Sequence, residues 1–325
     1  MDLAAIDGPI APVGSRTQWE TGGPPPVGAT EVRAPAGITA WEPADLTVTC
    51  GAGTTFGDLD RELATRGQEV PLDPLRAEAT VGGLLACGVS GLRRLRLGPI
   101  RDHVLQVWAI IGDGRRIRGG GPTVKNVTGY DLPRLFVGSL GTLGVIERVT
   151  LRCRPRPPAA GWFLIEDGRR CFRPTARVAA PEGEYVLLEG RRVDIEAQMR
   201  DLGLVVVDGP PPAPLGDHRG RISIPPERTG ELLATVPGGA RVRAELGVGT
   251  VLVATDSAEE LDACRRAAHA VGGWMLREAG GSPDDDGFGT PIPAPLVAAR
   301  IRAAFDPDGR MNPGRIPLPR VEVRQ

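Results

Sequence analysis

Three glycine-rich segments in the first half of the chain have the composition of phosphate-binding turns. They read P-V-G-S-R-T at 12–17, A-T-V-G-G-L-L-A-C-G-V-S-G at 79–91 and G-S-L-G-T-L-G-V-I at 138–146. Glycine lets the backbone approach a ligand closely, and successive main-chain N–H groups form concavities that bind anions. Each segment alone is equally typical of an ordinary turn, but three in one half of the chain favour a nucleotide phosphate site.

The segments do not match the two commonest nucleotide-binding motifs. None has the form G-x-G-x-x-G after a strand with an acidic residue about 20 positions later, as a Rossmann site requires. Lys125 is the only lysine, and it lies in T-V-K-N-V without the glycines of a Walker A loop. A pyrophosphate would therefore have to be held by another geometry.

The cysteine and histidine patterns predict no metal centre. The chain has no C-x-x-C pair, and its three histidines are scattered. The five cysteines are Cys50, Cys87, Cys153, Cys171 and Cys264. Their spacing matches no zinc or iron–sulfur motif, and an odd number in a cytoplasmic chain indicates reduced thiols. The acidic run 284–286 lies among glycines and prolines, which is typical of a solvated loop.

The charge balance and the hydropathy pattern exclude two broad classes of protein. The chain has 39 Lys and Arg against 40 Asp and Glu, a net charge of -1. A general nucleic-acid binder needs excess positive charge to neutralise phosphates. No apolar run reaches the roughly 18 residues of a membrane span, and the first residues lack the cationic flank of a secretory signal. We therefore expect a cytoplasmic protein.

Predicted strands and helices separate the glycine-rich segments. Leu46–Cys50 alternates and is rich in β-branched residues, which predicts a strand. Thr55, with Asp58 three residues later, predicts the start of a helix. His103–Ile111 predicts a second strand, and the alternating pattern that ends at Arg152 predicts a third.

A proline-rich stretch, R-P-R-P-P at 154–158, predicts a domain boundary. Beyond it, predicted strands alternate with helical segments, which indicates a small α+β domain. These strands are Trp162–Glu166, Tyr185–Glu189, Leu204–Val207, Val251–Thr255 and Trp274–Arg277. The clearest helix is Ala258–Ala270, with Ser257 and Glu260 in a capping box. The tail Phe305–Ile316 is rich in turn residues.

The order of these segments resembles the FAD-binding (PCMH-type) domain of the vanillyl-alcohol oxidase / p-cresol methylhydroxylase superfamily, with the closest resemblance to the FAD-binding E subunit of glycolate oxidase. It covers nearly all of residues 10–156 and then only the tail. The matching segments are P-V-G-S-R-T-Q-W-E-T-G-G-P-P from 12, A-D-L-T-V-T-C-G-A-G-T from 44, L-A-T-R-G-Q-E-V-P-L-D-P from 63, A-T-V-G-G from 79, S-G-L-R-R-L-R-L-G from 90, V-K-N-V-T-G-Y-D-L from 124, G-S-L-G-T-L-G-V-I from 138 and F-D-P-D-G-R-M-N-P-G-R from 305.

The resemblance implies an α+β fold in three parts. Residues 1–156 would form a two-part FAD-binding domain of the PCMH type. Residues 157–304 would form a smaller, ferredoxin-like α+β cap domain for substrate or subunit interaction. The tail 305–325 would pack back on the FAD-binding domain.

The resemblance also implies which residues hold the flavin. The pyrophosphate loop would comprise Pro12, Val13, Gly14, Ser15, Arg16 and Thr17. The phosphates and ribityl chain would lie along Ala79, Thr80, Gly82 and Gly83. The isoalloxazine would lie beside Cys87, Gly88, Ser90 and Gly91, and the adenine beside Gly141, Gly144, Val145 and Ile146. Arg101 and Asp102 would form an ion pair. Lys125, Asn126, Tyr130 and Asp131 lie in a family-typical motif to which we assign no role.

Departures from the family pattern narrow these expectations. The pyrophosphate loop lacks the histidine that attaches flavin covalently in some relatives, so we expect non-covalent FAD. Only about ten residues precede the loop, where relatives have another strand–helix unit, and this argues for weaker flavin binding. The second half lacks the histidine-rich metal motif of catalytic relatives. We identify no catalytic base, and the arginines at 93, 94 and 96 favour a solvated surface over a carboxylate site.

Three functions remain open. The first is the FAD-binding subunit of a 2-hydroxy-acid oxidase or dehydrogenase of the glycolate or D-lactate type, acting with a D-type flavoprotein and an iron–sulfur F-type subunit. The alternative is a non-catalytic assembly or regulatory subunit of that complex with weak or no FAD binding. The third is a stand-alone enzyme for a small 2-hydroxy acid. Attachment to the inner membrane through partner subunits is left open.

Overall fold

The computed structural model describes residues 2–121, 131–165, 169–282, 286–289 and 292–319. Its contacts divide the chain into two units, and each is considered by itself. The first comprises Met1–Gly91, Pro99–Pro155 and Thr290–Gln325, and the second comprises Leu92–Gly98 and Arg156–Gly289. The sequence-based limits at 156 and 304 remain a prediction about domains.

The first unit is built around a five-stranded antiparallel sheet. Its strands, in spatial order, are β3 (Ile38–Glu42), β4 (Thr47–Gly51), β8 (Val145–Arg152), β6 (Val104–Ile110) and β7 (Arg116–Gly120). Two small sheets accompany it, β1 (Ile10–Pro12) with β2 (Thr30–Val32) in parallel and β5 (Gln68–Glu69) with β9 (Arg154–Pro155) in antiparallel orientation. Its helices are α1 (Phe56–Ala64), α2 (Val81–Cys87), α4 (Leu132–Phe136) and α8 (Pro295–Phe305).

The core of the first unit explains why the glycine-rich segments end where they do. Val48 and Val149 from the sheet pack with Leu59 of α1 and Leu84 of α2, and all four are almost completely buried. Burying such side chains contributes roughly 1.5–3 kcal/mol each relative to leaving them exposed. This burial holds the strands and helices in place, and the glycine-rich turns that connect them are positioned as a consequence.

The second unit is an eight-stranded antiparallel sheet with helices. The strands, in spatial order, are β13 (Val205–Val207), β10 (Ala159–Ile165), β12 (Gly183–Gly190), β11 (Ala176–Ala180), β15 (Arg241–Glu245), β16 (Thr250–Thr255), β14 (His218–Ser223) and β17 (Trp274–Ala279). The helices are α3 (Arg94–Leu97), α5 (Arg192–Leu202), α6 (Thr229–Thr235) and α7 (Ala258–Ala270).

The ferredoxin-like prediction is confirmed for the last part of the second unit. From β14 to β17 the chain runs strand, helix, strand, strand, helix, strand, which is the ferredoxin-like order. The four strands are adjacent in the sheet, in the order β15, β16, β14, β17. Leu261 and Cys264 of α7 pack against Ile222 of β14 and Met275 of β17.

The predicted helix caps are present. Thr55 accepts a hydrogen bond from the N–H of Asp58 at 3.1 Å, and Ser257 accepts one from the N–H of Glu260 at 3.2 Å. Helix α7 has the predicted limits, and α1 begins at Phe56, directly after the predicted cap, and ends at Ala64. These capping signals are local, and side-chain oxygens at such positions satisfy N–H groups that a helix start leaves unpaired.

Some elements differ from the expectation. His103 belongs to a 3-10 turn, Ile100–His103, and not to strand β6. Strands β11, β14 and β15 and helix α8 were not predicted. Each of these strands has at most one large apolar residue, in A-R-V-A-A, H-R-G-R-I-S and R-V-R-A-E, so its strand signal is weak in sequence. Within the described residues, no helix is long and apolar enough to cross a membrane.

Candidate functional site

All three glycine-rich segments contribute to one cleft in the first unit. The cleft has about 850 Å³ of empty space, including its opening to solvent. The predicted residues that line it are Pro12, Val13, Gly14, Ser15, Arg16, Thr17, Thr80, Gly82, Gly83, Cys87, Gly141, Gly144, Val145 and Ile146.

The first segment leaves β1 at Pro12 and turns along the cleft. Its main-chain N–H groups at Gly14, Ser15 and Arg16 donate to no protein acceptor within the described residues. Arg16 adopts the left-handed conformation with φ of 61°, which is uncommon outside glycine. The loop therefore presents unused main-chain donors, which a ligand with phosphate oxygens would satisfy.

The second segment packs against the first through Thr80. The Thr80 side chain caps α2, accepting a hydrogen bond from the N–H of Gly83 at 3.2 Å. A Cβ atom at Gly14 would lie 2.2 Å from Thr80 Oγ1, and one at Gly82 would lie 2.9 Å from the Cβ of Ala52. Side chains would therefore force these segments apart, and glycine is what permits the close packing.

The third segment turns sharply before it enters β8. Leu140 and Gly141 are both left-handed, with φ of 51° and 72°. Gly144 has φ of 148°, and a Cβ atom there would lie 2.5 Å from the carbonyl oxygen of Ile110. The segment thus passes close to strand β6, and the absence of a side chain at Gly144 permits this approach.

The C-terminal tail completes the cleft. Asn312 donates from Nδ2 to the carbonyl oxygen of Leu140 at 2.5 Å. Arg315 donates to the carbonyl oxygens of Trp19 and Thr21, and only 3% of its surface is exposed. The tail therefore contacts both the loop at Trp19 and Thr21 and the turn at Leu140, and it holds them in place at the cleft.

Four predicted residues lie outside the cleft lining: Ala79, Gly88, Ser90 and Gly91. Ala79 is buried in the core, and Gly88 is the left-handed cap that ends α2. Ser90 accepts a hydrogen bond from the N–H of Ile100 at 3.1 Å, and a Cβ atom at Gly91 would lie 2.1 Å from the Cβ of Asp73. These residues shape the fold, and their assignment to the flavin site remains a prediction.

Several lining residues were not predicted: Gln18, Trp19, Thr21, Val32, Ala34, Ala52, Gly53, Ala86, Leu140, Asn312 and Arg315. Trp19 and Thr21 belong to a segment that carried the resemblance, and so did Ala52 and Gly53. The family resemblance therefore covered these four residues, but it did not single them out as contacts to the cofactor. Asn312 lies in the tail motif, whose position against the cleft follows only from long-range contacts.

The charges at the cleft are positive. Arg16 lies 2.6 Å from Glu31 Oε2 and 5.4 Å from the ring centre of Trp19. Arg33 donates to the carbonyl oxygen of Gly14 at 2.6 Å. Two exposed guanidinium groups therefore flank the first segment, where they would favour an anionic ligand.

The described lining contains no histidine, aspartate or glutamate. An imidazole or carboxylate is the usual group that accepts a substrate proton. The lining as described therefore suits holding a ligand by its main chain and offers neither of these proton acceptors.

The remaining candidate residues lie elsewhere or outside the described residues. Arg101 and Asp102 are 4.0 Å apart, with both side chains largely exposed. Asp131 caps α4 by accepting a hydrogen bond from the N–H of Arg134 at 3.2 Å. Lys125, Asn126 and Tyr130 lie outside the described residues, as does most of the acidic run 284–286.

The arginine cluster that follows the second segment is partly engaged in ion pairing. Arg93 lies 3.1 Å from Glu189, and both side chains are largely buried. Arg96 is exposed and donates to the carbonyl oxygen of Arg173 at 3.1 Å. The expectation of a solvated surface is therefore wrong for Arg93, because burial requires it to pair with a carboxylate.

Comparisons with known proteins agree with this geometry. A family described as an FAD binding domain matches residues 3–120. The glycolate oxidase subunit GlcE of Escherichia coli K12 is 31% identical over 95% of this chain and 92% of its own length. A D-lactate dehydrogenase of Archaeoglobus fulgidus is 39% identical over 45% of this chain and 34% of its own length. A solved alkyldihydroxyacetonephosphate synthase shares the fold, with a TM-score of 0.64 at 14% identity over 95% of this chain and 73% of that one.

Proposed function

Because the chain belongs to the family of FAD-binding glycolate oxidase E subunits, we propose that it is the FAD-binding subunit of an enzyme that oxidises a 2-hydroxy acid of the glycolate or D-lactate type. The predicted PCMH-type resemblance and the FAD cofactor are confirmed at the level of the family. The single observation that supports the proposal is the convergence of three glycine-rich turns and the tail on one cleft. These turns are far apart in sequence, and a bound dinucleotide explains why they meet.

The roles of the cleft residues follow from what each can donate. The N–H groups of Gly14, Ser15 and Arg16 would hold the pyrophosphate, and Arg16 and Arg33 would balance its charge. Gly82 and Gly83 leave room for the phosphates and ribityl chain. The attachment is non-covalent in this proposal, because no histidine stands in the loop 12–17.

The flavin would supply the hydride acceptor for oxidation of the hydroxy acid. The residues of this chain would bind and orient it and keep the cleft narrow around the dinucleotide. The described lining has no imidazole or carboxylate, so the group that takes the substrate proton would come from outside this lining. Electron transfer within a multi-subunit complex therefore fits this chain better than oxidation by the isolated subunit.

The proposed partners are a D-type flavoprotein and an iron–sulfur F-type subunit. The relatives include a glycolate oxidase subunit GlcD of Bacillus subtilis, 39% identical over 35% of this chain and 24% of its own length. The sequence shows no metal motif that would carry electrons onward. A partner with a redox cluster would supply that step.

The proposal is tested on the full-length protein by a visible spectrum and an FAD titration. We expect a yellow protein, or a colourless one that takes up one FAD per chain. Acid precipitation should release the flavin into the supernatant, because no covalent bond holds it. Flavin retained in the protein pellet would contradict the non-covalent attachment.

A colourless protein that takes up no FAD would contradict the first function and leave the assembly or regulatory subunit. The absence of an imidazole or carboxylate from the described lining is the observation that favours this alternative over a stand-alone enzyme. Reconstitution with the D-type and F-type subunits separates the two, since an assembly subunit restores activity without contributing a flavin. Flavin reduction in the isolated chain by a panel of 2-hydroxy acids would instead support the stand-alone enzyme.

A further inference from the structure

The tail segment Asp306–Arg315 holds one side chain rigidly at the cleft. The Asp306 carboxylate accepts hydrogen bonds from the N–H groups of Arg310 and Met311, each at 2.9 Å. The N–H of Asn312 then donates to the carbonyl oxygen of Ile10 at 2.7 Å. Asn312 is left-handed with φ of 45°, a conformation that asparagine adopts more readily than most residues, and these contacts hold it there.

The orientation of the Asn312 amide is set by one neighbour. Its Nδ2 donates to the carbonyl oxygen of Leu140 at 2.5 Å, and an oxygen in that position would face another acceptor. The side-chain oxygen Oδ1 must therefore point away from Leu140. The residue is 8% exposed, and Oδ1 has no hydrogen-bond partner within the described structure.

A buried acceptor without a partner is unfavourable, and such groups in native proteins usually mark a ligand or a water. Asn312 lines the cleft beside Gly141, whose Cβ position would be 3.4 Å from Asn312 Nδ2 and 3.2 Å from Pro12 Cγ. The missing partner must be a donor. Phosphate groups offer only acceptors, so the pyrophosphate cannot fill this role.

We propose that Asn312 Oδ1 accepts a hydrogen bond from the adenosine half of FAD, and this inference rests on the proposed function. The adenosine half carries two kinds of donor, the exocyclic amine of adenine and the ribose hydroxyls. Asn312 is held against Leu140 and Gly141, and Gly141 packs beside Pro12 at the start of the proposed pyrophosphate loop. Its contact with the nucleotide makes it a residue that selects the dinucleotide FAD over FMN, which lacks this half.

The test compares ligands on one protein, so that general effects of a substitution cancel. Equilibrium dissociation constants are measured for FAD, for its analogue with hypoxanthine in place of adenine, and for its analogue with 2′-deoxyadenosine. For the wild-type protein, we expect one analogue to bind about tenfold more weakly than FAD, because Oδ1 loses its donor. The weakened analogue identifies the amine or the hydroxyl as the donor.

Two variants provide the controls. Asn312→Gly keeps the left-handed backbone and removes the amide, so it should bind FAD and both analogues with equal affinity. Asn312→Asp keeps an acceptor in place of the amide and should retain the discrimination, even if the loss of the Leu140 contact lowers its stability. Thermal unfolding of each variant establishes that it is folded.

The outcomes are distinct. If the wild-type protein binds all three dinucleotides equally, the inference is overturned while the proposed function stands. If discrimination persists in Asn312→Gly, another residue makes the contact and the inference is also wrong. If the wild-type protein binds no FAD, the proposed function fails first and the inference fails with it.

Discussion

The buried Arg315 of the first unit holds a main-chain loop, whereas the largely buried Arg93 of the second unit pairs with a carboxylate. In the first unit, Arg315 donates to the carbonyl oxygens of Trp19 and Thr21. In the second unit, the buried Arg93 lies 3.1 Å from the carboxylate of Glu189. The same residue type therefore shapes an irregular loop in one unit and joins separate parts of the chain in the other.

Other contacts in the second unit repeat its pattern. Arg177 binds both carboxylate oxygens of Glu184, at 2.7 and 3.0 Å, and Arg221 lies 3.6 Å from Glu278. Burial lowers the pKa of Arg243, while nearby carboxylates act in the opposite direction. Each of these guanidinium groups is at least partly buried, whereas Arg16 and Arg33 beside the cleft are exposed.

The difference indicates where a cofactor belongs. Arg315 holds the loop at Trp19 and Thr21 through its carbonyl oxygens, so the N–H groups of the neighbouring first segment stay available for an anion. In this arrangement Arg315 positions the loop and does not itself bind the ligand. A sheet joined by ion pairs offers stability without unused donors of this kind. Substitutions of residues that line or hold the cleft should therefore alter FAD binding, and those in the second unit should alter stability alone.

The largest expected effect is the loss of FAD binding in Gly83→Val. Gly83 lines the cleft, and a Cβ atom there would meet only Thr80 Oγ1, at 3.1 Å, so the fold has room for a side chain. The branched side chain would occupy cofactor space, and we expect binding weakened by roughly a hundredfold or more, about 3 kcal/mol. FAD titration and circular dichroism measure the two effects separately.

A matched control for this variant is Gly230→Val. Gly230 also lies in the first turn of a short helix, α6, but nothing lies within 4 Å of its Cβ position. It belongs to the second unit, so FAD affinity should be unchanged. Equal FAD content in Gly83→Val and wild-type protein would show that FAD does not bind beside Gly83.

The next effect is a loss of stability in Arg93→Met. The side chains of Arg93 and Glu189 are 13% and 6% exposed, so the substitution removes the guanidinium from a buried carboxylate. Breaking such a pair costs about 3–5 kcal/mol in the free energy of unfolding. Urea unfolding should show this loss, while the FAD dissociation constant of the folded protein stays the same.

The double variant Arg93→Met with Glu189→Leu refines this prediction. Replacing both partners by apolar groups removes the unpaired charge and should restore much of the stability. If Arg93→Met instead weakens FAD binding at unchanged stability, the assignment of Arg93 to a purely structural ion pair is wrong.

A smaller loss of stability, combined with weaker FAD binding, is expected for Arg315→Leu. The carbonyl oxygens of Trp19 and Thr21 would lose their donors, at about 1 kcal/mol each. The loop they belong to lines the cleft, so the affinity for FAD should fall by roughly tenfold. Differential scanning calorimetry and FAD titration give the two quantities.

Arg310→Leu is the matched control in the same tail. Arg310 donates to the carbonyl oxygens of Gly8 at 3.1 Å and Leu3 at 3.2 Å, and neither residue lines the cleft. It should lose stability to a similar extent and keep its FAD affinity. A parallel fall in FAD affinity for both variants would mean that the tail acts only through global stability.

The sequence predicted those features of the cleft that depend on local signals. Glycines at 14 and 82 stand where only a small residue permits the close approach of the backbone, and such glycine-rich positions are recognisable without a structure. Ala79 and Gly88 flank helix α2 and lie outside the cleft lining, and the glycine-rich motif alone does not distinguish them from the lining residues Thr80 and Gly82.

Two functional residues could not be predicted, for a physical reason. Asn312 contacts Ile10 and Leu140, and Arg315 contacts the loop near Trp19, all through hydrogen bonds that span most of the chain. No local spacing encodes such pairs. Strands β11, β14 and β15 were missed because each has at most one large apolar residue, which leaves too little apolar pattern to indicate a strand.

The smallest expected effect is a pH dependence of stability that arises from Asp306. Burial raises the pKa of this carboxyl above its ordinary value of 3.8, although the N–H groups of Met311 and Arg310 act to lower it. The folded protein therefore holds this proton more tightly than the unfolded chain does. The stabilisation is full below about pH 3.8 and is lost as the pH rises through the raised pKa of the folded state. In Asp306→Asn, which cannot ionise, urea unfolding from about pH 4 upward should show a weaker decline of stability with pH than in wild-type protein. Identical slopes in the two proteins would show that the Asp306 carboxyl titrates in the folded protein as it does in the unfolded chain.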